Sequence, residues 1–322
     1  MADQKNFAVF EADIQKAQAR QRVVRIVVQV FLYLFLIVMA LIVIFPFYFM
    51  LISSVKELAE YRLPVQTLWP NRIVLYNYVE AFNTANLGTL FSNTLYVGVI
   101  STILSLVITV ITAFVFARLE FKGKNAMFAA LLGTMMIPGE LFTITNYATV
   151  MTKDGWFPTF FNGLGNMFGL FGPEFQLPMV DSAYAALIIP FLVSIFYIYL
   201  LRQNFMQIPN ELYLAAKVDG TSDIKYLWKV MIPLALPTLI SITILKMMGA
   251  WNSYVWPNLV ANEEEYRLIT NGLRNAFTES TGDVNIPVQM AAVAIVSAPL
   301  FLVFIFLRKY IMKGVSRSGI KG

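Results

Sequence analysis

The chain has 322 residues, of which 58% are hydrophobic and only 13% charged, and a formal net charge of +5. That balance lies far from the composition of a soluble globular domain, so the chain needs lipid around it. It has neither cysteine nor histidine. Disulfides, thiolate nucleophiles, the usual zinc sites and imidazole acid–base chemistry are thereby excluded, and no catalytic or metal-ligating residues are expected.

A helix needs about 20 mainly apolar residues to cross a hydrocarbon core. Six runs qualify: 26–51, 92–117, 126–149, 183–202, 234–256 and 288–309. The predicted fold is an all-α membrane protein with six transmembrane helices. A polar segment, 1–25, precedes the first run and no small-residue cleavage site follows it, so this run reads as a retained helix. Pro46, Pro138 and Pro190 lie within or near run ends, where neighbouring helices can re-satisfy freed backbone groups.

The basic residues flank these runs instead of forming one patch, which fits a membrane surface and not nucleic acid. Lys5, Lys16, Arg20, Arg22 and Arg25 precede the first run. Arg118, Lys122 and Lys124 fall in the second connection, and Arg202, Lys217, Lys225 and Lys229 in the fourth. Arg308, Lys309, Lys313, Arg317 and Lys321 follow the last run. The other connections hold only Lys56, Arg62, Arg72, Lys153, Arg267 and Arg274. Cytoplasmic segments carry the basic excess, so both termini are expected in the cytoplasm, with 310–322 as a cytoplasmic tail.

The fourth connection, 203–233, is too organised for a linker. Pro209 and Asn210 suit a helix start, and Leu212, Leu214, Ala215, Ala216 and Val218 follow. Asp219-Gly220 breaks that helix. Ser222 or Asp223 can cap a second one, with Ile224, Leu227, Val230 and Met231 at spacings of three and four, ending at Pro233. The pattern predicts a helix–turn–helix outside the membrane. An amphipathic hairpin covering span ends fits it too, but small Ala215 and Ala216 favour a helix that enters a partner's groove.

These residues, NELYLAAKVDGTSDIKYLWKVMIPLALP, resemble the EAA loop of binding-protein-dependent ABC permeases: Glu-Ala-Ala, two or three residues, Gly, then Ile/Leu-Pro. The likeness is strongest to the carbohydrate-uptake branch, which includes the smaller permease of the maltose transporter. FPFYFMLISSVK, TAFVFARLEFKGKN, LLGTMMIPGE, WNSYVWP and RKYIMKGVSRSGIKG extend it along the chain in order. The resemblance implies a type I importer architecture in the cell membrane. It also implies a second homologous permease, two ATPase subunits that bind ATP and Mg, and an extracellular sugar-binding protein, with no cofactor on this chain. Glu211, Leu214, Ala215, Ala216, Asp219 and Gly220 would form the ATPase-coupling segment. The family glutamate falls at Leu214. Glu211, three residues earlier on about the same face, either takes over its contact or is an ordinary first-turn acid.

Lys246 is the only basic residue deep within a run, about 18 Å along a helix from Leu234. Gly249, Ser253 and Trp256 fall on nearly its face by helical spacing, and Asn252 belongs to the WNSYVWP match. These five are candidates for a sugar path, although an ammonium bonded to backbone carbonyls or to a partner subunit is the simpler reading of Lys246. The third connection, 152–182, is rich in Phe and Pro and suits anchoring at the lipid interface or docking of the binding protein. In the fifth connection the resemblance points to a binding-protein contact at Thr278, Glu279, Ser280, Thr281, Gly282 and Asp283.

A secondary transporter would be expected to show internal repeats and buried carboxylates, and neither is evident. A membrane enzyme would need clustered acids, and Glu263, Glu264 and Glu265 form the only run. No G-x-x-x-x-G-K-[ST] loop occurs, so an ATPase must be borrowed. An oligosaccharide is the expected cargo, with another small polar or acidic solute as the alternative.

Overall fold

Where the apolar runs predict helices, the computed structural model has them. It describes residues 2–151, 183–278 and 285–316, and among these every regular element is helical. The chain forms two units, Met1–Asn77 with Asn285–Ala294 and Tyr78–Val284 with Ile295–Gly322.

The first unit is dominated by α1 (Ala2–Ser54), which runs without a break through the polar segment and the first apolar run. The span is thus the inner part of a longer helix. Pro46 does not interrupt it. The most apolar stretch of α1 stays exposed, as a lipid-facing helix requires. After it the chain folds into a polar knot around α2 (Leu58–Tyr61). The Asn77 amide donates to the Ser54 and Lys56 carbonyls, 2.9 Å each, and so supplies partners just past the helix end. Lys56, fully buried, donates to the Thr67 carbonyl. Glu60 accepts from the Thr67 hydroxyl at 2.5 Å and from the Asn71 amide at 3.0 Å. These bonds, the Thr67 hydroxyl first, hold its carboxyl below the ordinary 4.5.

In the second unit α3 (Tyr76–Thr84) leads into α4 (Leu87–Arg118), the axis of the unit. Gly98, Ser101, Thr102, Ser105, Thr109 and Ala113 are buried along one side of α4, and their small size lets other helices approach closely. The helices that use this approach most are α8 (Ile195–Gln207) and α11 (Ile232–Asn252). One core cluster gathers Ala113, Phe114, Leu201, Phe205, Tyr226 and Met231; another gathers Val97, Leu187, Ile188, Trp256, Val260 and Leu268.

Asparagines carry the polar side of this packing. Asn93 of α4 donates to the carbonyls of Glu265 (2.6 Å) and Arg267 (3.1 Å), and accepts from the Tyr184 hydroxyl at 2.7 Å. Asn271, on α13 (Ile269–Thr278), accepts from the Leu268 amide and donates to the Pro257 and Ala261 carbonyls. The segment between α11 and α13 is therefore fixed through its own backbone groups.

Four helices in the described residues are long and apolar enough to cross a membrane, and up to six if each of two bent pairs forms one span. Three expected spans are not simple rods. The run 126–149 divides into α5 (Lys124–Thr134) and α6 (Phe142–Met151), joined by a 3₁₀ turn at Gly139–Leu141 and bent by 80°. Pro138 removes a donor and pushes Ile137 out of helical geometry, which accounts for the break. The run 183–202 divides into α7 (Ala183–Ile188), a 3₁₀ turn holding Pro190, and α8, with a 43° bend. The run 234–256 ends early, at Asn252. Ser253 is extended, and Trp256 belongs to a separate helix, α12 (Val255–Val260). The last run lies in α14 (Ile286–Ser316), so helix also occupies the start of the expected tail. Residues 152–182 and 317–322 lie outside the described residues.

A Cβ on Gly272 would collide with the Leu90 side chain, which is itself buried. Gly272→Ala should therefore destabilise the protein by about 1–3 kcal/mol. Gly133, where a Cβ meets nothing within 4 Å, should tolerate the same change; thermal unfolding in detergent compares the two. Because the folded-state value of Glu60 is depressed, its stabilisation is present at neutral pH and lost as pH falls below the ordinary 4.5. After correction for the intrinsic pH dependence of amide exchange, protection across residues 57–77 should fall on acidification in the wild type and lose that dependence in Glu60→Gln.

Candidate functional site

The expected helix–turn–helix begins with α9 (Asn210–Val218), a two-and-a-half-turn helix after Pro209. It stops as Gly220 adopts φ +71°, in the left-handed region that glycine enters without a Cβ penalty. The Thr221 amide donates to the Ala216 carbonyl at 2.8 Å and the Gly220 amide to the Lys217 carbonyl at 3.1 Å, the paired bonds of a Schellman stop. Of the two candidate caps, Ser222 takes the role: its hydroxyl accepts from the Lys225 amide at 3.4 Å. Asp223 instead bridges the turn. One carboxylate oxygen accepts from the Tyr213 hydroxyl and pairs with the Lys217 ammonium, both at 2.7 Å. That bond raises the Lys217 ammonium above its ordinary value and keeps it charged.

The second helix, α10 (Asp223–Tyr226), does not end at Pro233. It continues through a wide π turn, Leu227–Met231, into α11. Pro233 occupies the first turn of α11, where a missing backbone donor is tolerated, and the π register absorbs the irregularity. The hairpin is therefore rigidly joined to a membrane-length helix, Asp223–Asn252. Its root is buried. Tyr226 and Met231 sit in the core with Leu201 and Phe205, and Tyr213 and Ala216 pack on them.

That packing divides the expected coupling residues. Ala216 faces the chain's own core, whereas Glu211, Leu214, Ala215, Asp219 and Gly220 are exposed. Beside them stand Val218 (89% exposed), Ile224 and Trp228, large apolar side chains presented to whatever covers this face. Exposure of this kind marks a contact surface.

Beneath the hairpin two arginines cap one another's helices. Arg118, at the end of α4, donates to the Phe205 carbonyl at 2.9 Å and the Ile208 carbonyl at 2.6 Å, where α8 ends. Arg202 of α8 donates to the Phe116 carbonyl of α4 at 3.0 Å and lies 4.0 Å from the Phe128 ring centroid. Positive charge at both helix C-termini also opposes their dipoles. The sequence marked these residues only as basic flanks; the missed signal was an arginine in or near the last turn of each of two neighbouring helices.

A cavity of about 390 Å³ lies among α4, the α7–α8 break and α11. Lys246, Gly249, Ser253 and Trp256 all line it, although the helix expected to align them ends between Asn252 and Ser253. The turn at Ser253 and the start of α12 bring Trp256 back to the same space. Asn252 is not among the lining residues; its amide donates to the Met248 carbonyl at 2.9 Å. Lys246 donates to the Phe191 carbonyl, exposed by the break after Pro190. The Trp256 indole N–H donates to the Ala186 carbonyl at 2.9 Å. Ser101, Ser194 and Tyr197 complete the polar lining, and sequence spacing could not bring them there.

Thr278 closes α13, its hydroxyl donating to the Arg274 carbonyl at 2.7 Å, while Glu279, Ser280, Thr281, Gly282 and Asp283 lie outside the described residues. No group of His, Cys, Asp and Glu able to hold a metal occurs among the described residues.

Residues 127–317, which include the hairpin, the arginine pair's α8 side and most of the cavity wall, match the family described as "Binding-protein-dependent transport system inner membrane component". The chain belongs to this family. It is accordingly a multi-pass membrane transport subunit, and the family is one of permeases and not of enzymes. The chain is 27% identical to the arabinooligosaccharides transport system permease protein AraQ of Halalkalibacterium halodurans, over 88% of its own length and 93% of that relative. It is 28% identical to the diacetylchitobiose uptake system permease protein NgcG of Streptomyces coelicolor, over 88% and 86%. Among solved structures, a chain of a bacterial ABC transporter for import of the acidic polysaccharide alginate superposes with TM-score 0.69 at 23% identity, over 86% of this chain and 94% of that one. The permease fold is therefore shared.

Replacing Arg118 by Met should remove the guanidinium from the Ile208 carbonyl and leave the Phe205 carbonyl only its bond from the Ile208 amide, at a cost of about 2 kcal/mol. Lys at 118 should restore only part of this, since it lacks the guanidinium fork. Thermal unfolding and amide exchange at 205–210 in the detergent-purified permease check both.

Proposed function

We propose that this permease forms, with a second homologous permease, the alternating-access path of an ABC importer for an oligosaccharide. An extracellular binding protein delivers the cargo, and two ATPase subunits carrying ATP and Mg drive the cycle. Six spans, the two bent pairs counting as one each, make up a transmembrane domain over 26–309. Both termini and the 203–233 hairpin face the cytoplasm in this reading, which the distribution of basic residues supports. The single observation that carries this reading is the hairpin itself: an exposed apolar face on a helix whose root is locked into the core. A helix so held transmits displacement instead of absorbing it. When ATP closes the ATPases, a push on α9 passes through the π turn to α11.

The names of relatives that transport arabinooligosaccharides and diacetylchitobiose support a saccharide cargo. Leu214, Val218, Ile224 and Trp228 enter the ATPase cleft, and Glu211, exposed beside Leu214, supplies the charge that the family glutamate would. Lys246, Gly249, Ser253 and Trp256 line the sugar path. Residues 278–283 meet the binding protein.

Affinity purification of the tagged chain from its native membrane should bring down a P-loop ATPase and a second permease, and saccharide-loaded binding protein should stimulate ATP hydrolysis. Absence of any ATPase would overturn the reading. Glu211→Lys should reduce stimulated hydrolysis and uptake about tenfold, the effect of roughly 1.4 kcal/mol at one interface contact, while the complex still assembles. Undiminished uptake would remove Glu211 from the interface.

A further inference from the structure

Lys246 is a cation at membrane depth, and the structure gives it one partner, the Phe191 carbonyl. An ammonium has three donors, so two stay available on the side that lines the cavity. No aspartate or glutamate lines that cavity. A charge at such depth is costly, and a single carbonyl dipole offsets only part of the cost. Among the described residues of this chain, then, the cavity holds a cation with no anion.

The rest of the wall suits a sugar. Ser194 and Tyr197 contribute hydroxyls that can donate or accept, and Ser101, whose hydroxyl donates to the Gly98 carbonyl at 3.3 Å, contributes an acceptor. With its N–H committed to the Ala186 carbonyl, Trp256 offers only ring surface, braced edge-to-face by Phe191 at 5.6 Å. Gly249, one turn from Lys246, has nothing within 4 Å of where a Cβ would stand, so space remains open beside the ammonium. A volume of about 390 Å³ is that of a small-molecule site.

We propose that this cavity binds the anionic group of an acidic saccharide, a carboxylate or a phosphate ester, with Lys246 as counter-charge and specificity-determining residue. The inference rests on the permease reading above and narrows its cargo. The Phe191 carbonyl positions the ammonium, the hydroxyls take the ring oxygens, and the aromatic surface takes an apolar sugar face.

The assembled importer, in nanodiscs without binding protein, is titrated with galacturonate, glucose 6-phosphate and neutral galactose, and ATP-driven uptake is measured separately in proteoliposomes with the binding protein. At least one acid should bind about tenfold more tightly than galactose, the comparison between the two acids separating carboxylate from phosphate recognition. Raising the salt concentration should shrink that preference. Lys246→Arg should keep it, and Lys246→Gln should bring the ratio near one. Equal or undetectable binding of the acids by the wild type overturns the inference, as does a preference that survives in Lys246→Gln. Should Lys246→Gln fail to assemble, the wild-type ratio, its salt dependence and Lys246→Arg still decide. Neutral sugar transported with ATP but no acid preference defeats only this inference, whereas no ATP-driven saccharide uptake defeats the permease reading as well.

Discussion

Backbone carbonyls released where a helix ends or breaks within packed protein need a donor from elsewhere in the chain, and several polar side chains of this permease are placed to supply one. Arg118 and Arg202 exchange across two helix ends, and Lys246 meets the carbonyl released after Pro190. Asn93 and Asn271 serve carbonyls between α11 and α13, and Asn77 does the same just past α1. In each case a donor from a distant part of the sequence fixes an irregular segment against a regular helix. The breaks can then be permanent features of the fold, because none of these bonds requires the chain to straighten.

The consequence for function lies in what is stiff. The hairpin is held at its turn by Asp223, which joins Tyr213 and Lys217, and at its root by Tyr226 and Met231 in the core. Between these anchors the chain exposes Leu214, Val218, Ile224 and Trp228. An exposed salt bridge such as Lys217–Asp223 contributes little stability by itself, so the buried tyrosine and methionine carry most of the rigidity. That root joins the exposed face to α11, the helix that also carries Lys246 and Gly249. Ile224 and Trp228 of the exposed face lie on the same continuous helix, Asp223–Asn252, as Lys246 and Gly249 of the cavity wall.

Much of this was legible in the amino-acid order. Apolar runs longer than a bilayer crossing specify helices through hydrophobicity alone. The turn at Asp219-Gly220 follows from the one residue that enters the left-handed region freely, and a family signature along the chain pointed to a permease. The ends of the runs were less legible. Pro138 and Pro190 read as tolerated irregularities, yet each divides an apolar run into two helices, while Pro233 read as a stop and is passed over by a π turn. A proline removes a donor in every case; whether the helix bends or continues depends on which neighbours can take up the carbonyl.

Sequence by itself thus determined the helical class, the membrane setting and the hairpin, because these depend on local apolarity and local turn chemistry. Only the tertiary structure decided which side of the hairpin is free and why Trp256 shares a cavity with Lys246 although no helix connects them. It also decided that Asn252 turns back on its own helix and that two basic flanking residues are reciprocal caps. The cavity and the reciprocal caps depend on donors and acceptors that meet across 55 residues for Lys246 and Phe191 and 87 for Arg118 and Phe205, separations over which sequence periodicity carries no information.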